Sequence, residues 1–174
     1  MAIHDMLLPE FDQEMASTRK MLSAVPEDHL LFQPHAKSWK LNRLAGHIAE
    51  LPGWITHTMK VELLELSPSD YHPFEPASRA ELLDKFDRNV SDARAALATA
   101  TDEQFNVLWT MKWDGNVVMS QPRIGVIRSV VLNHLIHHRA QLGMYLRLAN
   151  QTVPGMYGPS ADENPFTTSK EKAA

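Results

Sequence analysis

The stretch from Val126 to Asn150 constrains the chain more than any other. Its apolar residues are Val126, Ile127, Val130, Val131, Leu135, Leu142, Tyr145 and Leu146, and steps of three and four dominate. That period marks one face of an amphipathic helix. Pro122 falls near its first turn, where the missing N–H does no harm. Where the apolar face should continue, histidine interrupts it. His134 follows Val130 by four, and His138 follows His134 by four and precedes Leu142 by four. Residues four apart lie above one another on a helix, so both imidazoles are expected to point into one interior space. His137 is turned by about 100° and belongs to the flank.

A buried imidazole requires hydrogen-bond partners or a metal ion. Two stacked rings repel if both are charged. A bound cation removes both problems, because neutral imidazole is a good ligand for zinc, nickel or iron. A pair of core histidines bonded to water or carboxylates satisfies the same spacing, and HxxxH alone does not choose between the two.

Three more amphipathic stretches precede this one. Leu7, Phe11, Met15, Thr18 and Leu22 predict a helix from about residue 4 to Ala24, ended by Val25-Pro26. Leu41, Leu44, Ile48, Leu51, Ile55, Met59 and Leu63 predict a second, from Trp39 or Lys40 to Leu66, with Ser38 as its N-cap. Ser78 and Glu81 form a capping box before a third, striped by Leu83, Phe86, Val90, Ala93 and Leu97. Thr101 and Gln104 make another capping box. Residues 108–119 are richer in Trp and Val and contain Asp114-Gly115, a turn signal. The pattern predicts an all-α, four-helix bundle, with room for a short hairpin before the last helix. Residues 1–166 read as one domain and residues 167–174 as a disordered tail.

His47 lies three after Leu44 and four before Leu51, so it joins the inner face of the second helix. Neighbouring helices sit about 8–10 Å apart, close enough for His47, His134 and His138 to converge on one ion. Three histidines and a water form an open, catalytic type of site. Glu50 is a candidate base, or a residue that orients His47. Gln141 and Tyr145 are candidates for contacting a substrate. Arg139 reads as a surface ion-pair residue, and His4, His29, His35, His57 and His72 as surface or loop residues.

The 174 residues contain no cysteine, so any metal ligands are nitrogen or oxygen. A net charge of −4 without a Lys/Arg run argues against nucleic acid. No signal peptide or membrane span is visible, and a cytoplasmic location follows by default.

Two segments carry a resemblance: LAGHIAE around His47, and LNHLIHHRAQLGMYLR around His134 and His138. With LLPEFDQEMASTRKML, PHAKSW and VPGMYGPSADE, they resemble the DinB superfamily over about residues 4–165. The resemblance implies a four-helix bundle, often a homodimer, that binds a divalent metal through three histidines. Carried over, these are His47, His134 and His138. Some relatives are S-transferases using low-molecular-weight thiols such as bacillithiol or mycothiol, and one class is a mycothiol-dependent isomerase. The implied reading is a metal-dependent transferase, or a hydrolase, acting on a small molecule. Zinc or nickel comes first as the metal, with iron or manganese as other candidates. With no cysteine in the chain, a nucleophilic thiol would arrive as a cosubstrate. The alternative is a non-enzymatic bundle that binds a metal or small ligand, as a sensor for example.

Overall fold

The first stripe folds as its period predicts. In this computed structural model, which describes residues 1–70 and 72–164, α1 spans Ile3–Ser23 and buries Leu7, Phe11, Met15, Met21 and Leu22. The expected disordered tail, residues 167–174, lies outside the described residues. The second helix, α2, spans Leu41–Lys60, and the third, α3, spans Arg79–Ala98. Ser78 caps α3, its hydroxyl accepting from the Glu81 N–H at 3.1 Å. A short α4, Asp102–Asn106, carries the reciprocal Thr101–Gln104 capping box.

The last helical stretch is continuous but not uniform. It opens as α5, Arg123–Val126, passes through a π-helical segment at Ile127–Asn133, and continues as α6, His134–Leu148. α2 packs against α3, the π segment and α6. Phe11, Leu44, Ile48, Ile55, Phe86, Val131, Leu135 and Leu142 are among the buried residues that form the shared core.

The expectation of an all-α four-helix bundle is overturned. Strands β1 (Leu63–Leu66), β2 (Leu108–Trp113) and β3 (Asn116–Pro122) form a mixed sheet in the order β1-β2-β3. The β2–β3 hairpin is the one Asp114-Gly115 signals. Both turn residues have positive φ, 49° and 77°, as a two-residue hairpin turn requires. β1 is the element the sequence does not announce. It pairs parallel with β2, Leu63 opposite Thr110 and Leu66 opposite Trp113. Accordingly α2 ends at Lys60 rather than Leu66, and Val61 is already extended, at φ −124° and ψ 162°. The leucines at 63, 64 and 66 fit a helical stripe as well as a strand, and the partner that decides between them is remote in the chain. No helix among the described residues is long and apolar enough to cross a membrane.

Candidate metal centre

Two polar stripes face each other across the α2–α6 contact. On α2, Arg43, His47, Glu50, Trp54 and His57 follow one another at steps of four, three, four and three. The adjoining face of the same helix, turned by about 100°, buries Leu44, Ile48, Leu51 and Ile55. On α6, His134, His138, Gln141 and Tyr145 repeat the rhythm at steps of four, three and four. Each helix therefore carries an apolar stripe for the core and a second stripe for a site.

The three predicted imidazoles meet. His47, His134 and His138 are half-buried, and each offers a ring nitrogen within 4.8 Å of the others. The Nε2 atoms of His47 and His134 are 3.4 Å apart, and those of His138 and His134 are 2.8 Å apart. Ligands about 2.0–2.1 Å from an ion are about 3.3 Å apart in a tetrahedron and about 2.9 Å apart at right angles. The cluster has the dimensions of a divalent metal site.

The second ring nitrogens say more. His134 Nδ1 lies 3.2 Å from the Val130 carbonyl, which can only accept, so Nδ1 carries the proton. The π segment ends at this point. A π turn shifts the backbone ladder by one residue and recurs at functional sites. His138 Nδ1 donates to Gln141 Oε1 at 2.7 Å. In both neutral rings Nε2 is then a bare lone pair, and the two lone pairs face each other at 2.8 Å. Only a proton or a metal ion relieves that opposition. Burial works against the proton. It pushes the pKa of His47 down to about 3, helped by the charges of His138, His134 and Arg43. Burial is also the main cause of the lowered values of His134 and His138. The donor set, three neutral imidazoles of which His134 and His138 have their tautomers fixed, fits a divalent metal.

Trp39 and Arg43 complete the surroundings, and the sequence reading missed this role for both. The Trp39 ring stacks on His138 at 5.8 Å and meets His47 edge-on at 5.3 Å. The buried Arg43 guanidinium lies 4.5 Å over the same indole. The four-three-four-three stripe on α2 was the available signal for Arg43 and Trp54. For Trp39 the signal was its place in the PHAKSW segment, not any helical spacing.

Two clefts reach the cluster and share no lining residue. One, of about 390 Å³, is lined by Lys37, Trp39, His138, Gln141 and Tyr145 among others. The second, of about 310 Å³, lies between the α2 stripe and β1, with His47, Glu50, Trp54, His57, Leu64 and Leu66 in its wall and Asp70 and His72 at its rim. His57 and His72 are exposed, as expected, yet both border this cleft. Glu50 is half-buried, and burial raises its pKa, while a hydrogen bond from the Phe74 backbone opposes the shift. Gln141 is engaged with His138, and the Tyr145 hydroxyl donates to the Trp39 carbonyl at 3.1 Å, so each candidate holds part of the centre.

Arg139 is not a surface residue. Its side chain is 2% exposed, pairs with Glu14 at 2.7 Å, and donates to Thr18 Oγ1 and to the Tyr157 hydroxyl. His137 is exposed on the flank, as its angle predicts.

Comparisons with known proteins agree with this architecture. The DinB family model matches residues 2–170. An uncharacterized protein of Bacillus subtilis strain 168, YrdA, is 27% identical over 159 residues, which cover 91% of this chain and 90% of that protein. Among solved structures, a DinB-like protein from Bacillus cereus ATCC 10987 superposes with a TM-score of 0.69 at 24% identity, covering 90% of this chain and 98% of that one. YjoA, a DinB-like protein of Bacillus subtilis, gives 0.67 at 18% identity, over 87% and 97% of the two chains. At those identities the structures support the fold alone.

Proposed function

This chain belongs to the DinB family, and from that premise we propose that His47, His134 and His138 hold a divalent metal ion in a metal-dependent enzyme. Zinc or nickel suits three imidazoles best, and iron or manganese is also accepted by such donors. The observation that carries the reading is the pair of opposed Nε2 lone pairs on His134 and His138, 2.8 Å apart. Three protein ligands leave a coordination position open, the arrangement of a catalytic rather than a closed structural site.

The reaction proposed is transfer of a low-molecular-weight thiol to an electrophile. Bound there, the ion supplies positive charge that lowers the pKa of a coordinated thiol or water toward neutrality. The chain's own residues do the rest. Val130 and Gln141 fix the tautomers of His134 and His138, so both Nε2 lone pairs stay aimed at one point. Trp39 shields the rings of His47 and His138 from water on one side. Buried Arg43 adds a fixed positive charge that favours an anionic group at the centre. Glu50, in the cleft that His47 lines, is the candidate to accept a proton or a hydrogen bond from the second substrate. The chain contains no cysteine, so the thiol is a cosubstrate.

The test begins with metal analysis of protein purified without a histidine tag. About one equivalent per chain is expected, lost on chelation, together with turnover against paired thiol and electrophile panels. Metal content far below stoichiometry, with chelator leaving thermal stability unchanged, would sink the proposal. A homodimer and a small-molecule substrate belong to the same reading, and light scattering in solution tests the dimer.

A further inference from the structure

The cleft between α2 and β1 is built from more than the metal reading needs. His47 is the one triad member that lines it. Its floor is the α2 stripe and its far wall is β1, whose alternation turns Leu64 and Leu66 inward and leaves Leu63 and Glu65 outside. The segment after β1 crosses α2 so closely that a Cβ on Gly46 would stand 2.0 Å from the Phe74 carbonyl oxygen. The same segment brings Asp70 and His72 to the rim and donates the Phe74 N–H to Glu50.

The charge of the two clefts differs in sign. The one at His138 carries Lys37 and no carboxylate, whereas the one at His47 carries Glu50 and Asp70 and, among the described residues, no lysine or arginine. Asp70 is committed to Ser67, accepting from its N–H and its hydroxyl. Glu50 accepts the Phe74 N–H, and its half-buried side chain lines the cleft together with an indole and two leucines. A carboxylate beside an aromatic wall in a partly dry cleft is the chemistry that selects an organic ammonium group.

We propose that this cleft binds the second substrate of the centre, a small molecule with a protonated amine on an apolar or aromatic body, the amine against Glu50 and the body between Trp54, Leu64 and Leu66. The volume of about 310 Å³ holds on the order of ten non-hydrogen atoms, at about 30 Å³ each. His47 at the inner end sets the reacting part of that molecule beside the metal ligands. This last placement rests on the metal reading, whereas the selection of an amine does not. Burial raises the Glu50 pKa, and an ammonium partner offsets that cost. Arg43 and Lys85 act on Glu50 from outside the cleft.

The experiment uses the full metal-free chain at pH 7 and three probes of similar shape: benzylamine, benzyl alcohol and benzoate. Affinities are read by NMR from the methyl shifts of Leu64 and Leu66. Benzylamine is expected to bind at least about tenfold tighter than benzyl alcohol, with benzoate weakest. Glu50→Gln should bring the amine down to the affinity of the alcohol and leave the alcohol unchanged. Glu50→Asp, which keeps the charge, should retain part of the preference. Equal binding of all three probes, a preference for benzoate, or shifts that map away from the two leucines would each overturn the proposal. The wild-type comparison decides even if a variant fails to fold. A second arm loads the protein with Co²⁺ and reads paramagnetic broadening of the benzylamine methylene protons. Selective binding without cobalt uptake supports the cleft and refutes the metal reading; cobalt uptake without amine selectivity does the reverse.

Discussion

α6 carries a polar cluster on each of two faces, and they are built to opposite rules. On one face Arg139 is closed off. It donates to the Glu14 carboxylate and carbonyl, to Thr18 and to Tyr157, and Tyr157 in turn donates to Glu14 at 2.8 Å. Donors are matched to acceptors, and the Arg139 and Glu14 side chains are 2% and 7% exposed. On the other face His134 and His138 satisfy Nδ1 and leave Nε2 bare, half-buried and bordered by clefts. The closed cluster ties α1, α6 and the segment around Tyr157 together. The open one has valence to spare. A polar cluster with its bonds fully made contributes to the fold, whereas one with lone pairs aimed at each other calls for something from outside.

The sharpest way to break this contrast is to remove the closed cluster's cation. Arg139→Met leaves Glu14 buried without its partner, and about 3–5 kcal/mol of stability should be lost, read by urea denaturation. A loss under about 1 kcal/mol would mean that the pair is no more than a surface contact. Next in size is the open cluster's response to metal. Zinc or nickel at about one hundred times its dissociation constant should stabilise the protein by about 2.7 kcal/mol, seen as a rise in Tm. His134→Ala should abolish that rise and change the metal-free Tm little. A metal-free Tm that collapses in this variant would make the triad structural.

Gly46→Ala comes third. The new Cβ would meet the Phe74 backbone oxygen at 2.0 Å and the Pro76 ring at 3.0 Å. Overpacking of this kind costs about 1–3 kcal/mol. Because the segment that must move roofs the His47 cleft, benzylamine affinity should fall with stability. An unchanged affinity would show that the roof does not shape the cleft.

The smallest effect is the acid response of the metal-free protein. His47 titrates at about 3 when folded and has an ordinary value of 6.5. Between those values the unfolded chain binds the proton and the folded chain does not. Stability is therefore full above pH 6.5 and declines as pH falls toward 3. Solvent at the half-exposed ring reduces the size of this slope. His47→Asn should flatten the decline in chemical denaturation followed across pH, and an identical slope in the variant would assign it to other groups.

Much of this contrast was legible in the chain before any fold was known. A period of three and four needs only local spacing, so α1, α3 and the bodies of α2 and α6 could be read, as could the convergence of His47 with His134 and His138. Asp114-Gly115 announced the hairpin by the same local logic. What escaped depends on distant partners. β1 is a strand because β2 accepts it, and residues 61–66 carry no sign of that partner. Arg139 is buried because Glu14, Thr18 and Tyr157 surround it, whereas helical position alone suggested an exposed ion pair. The π segment was hidden because its apolar residues fit an α period nearly as well. The α2 stripe of Arg43, His47, Glu50, Trp54 and His57 is visible in the spacing, but an arginine and a tryptophan at such positions fit a solvated helix face equally well until α6 is placed against them.

The parallel pairing of β1 has a consequence for how the cleft acquires its chemistry. Leu63 lies opposite Thr110, so this wall waits for a closure spanning almost fifty residues, the slow kind of contact in folding. Its alignment also decides which side chains look inward. A slip of one position would exchange Leu64 and Leu66 for Leu63 and Glu65, replacing a greasy surface with an anionic one while every helix stayed as it is. The amine preference proposed for this cleft would thus be set by strand alignment as well as by the residues in its wall, with no histidine involved in the difference.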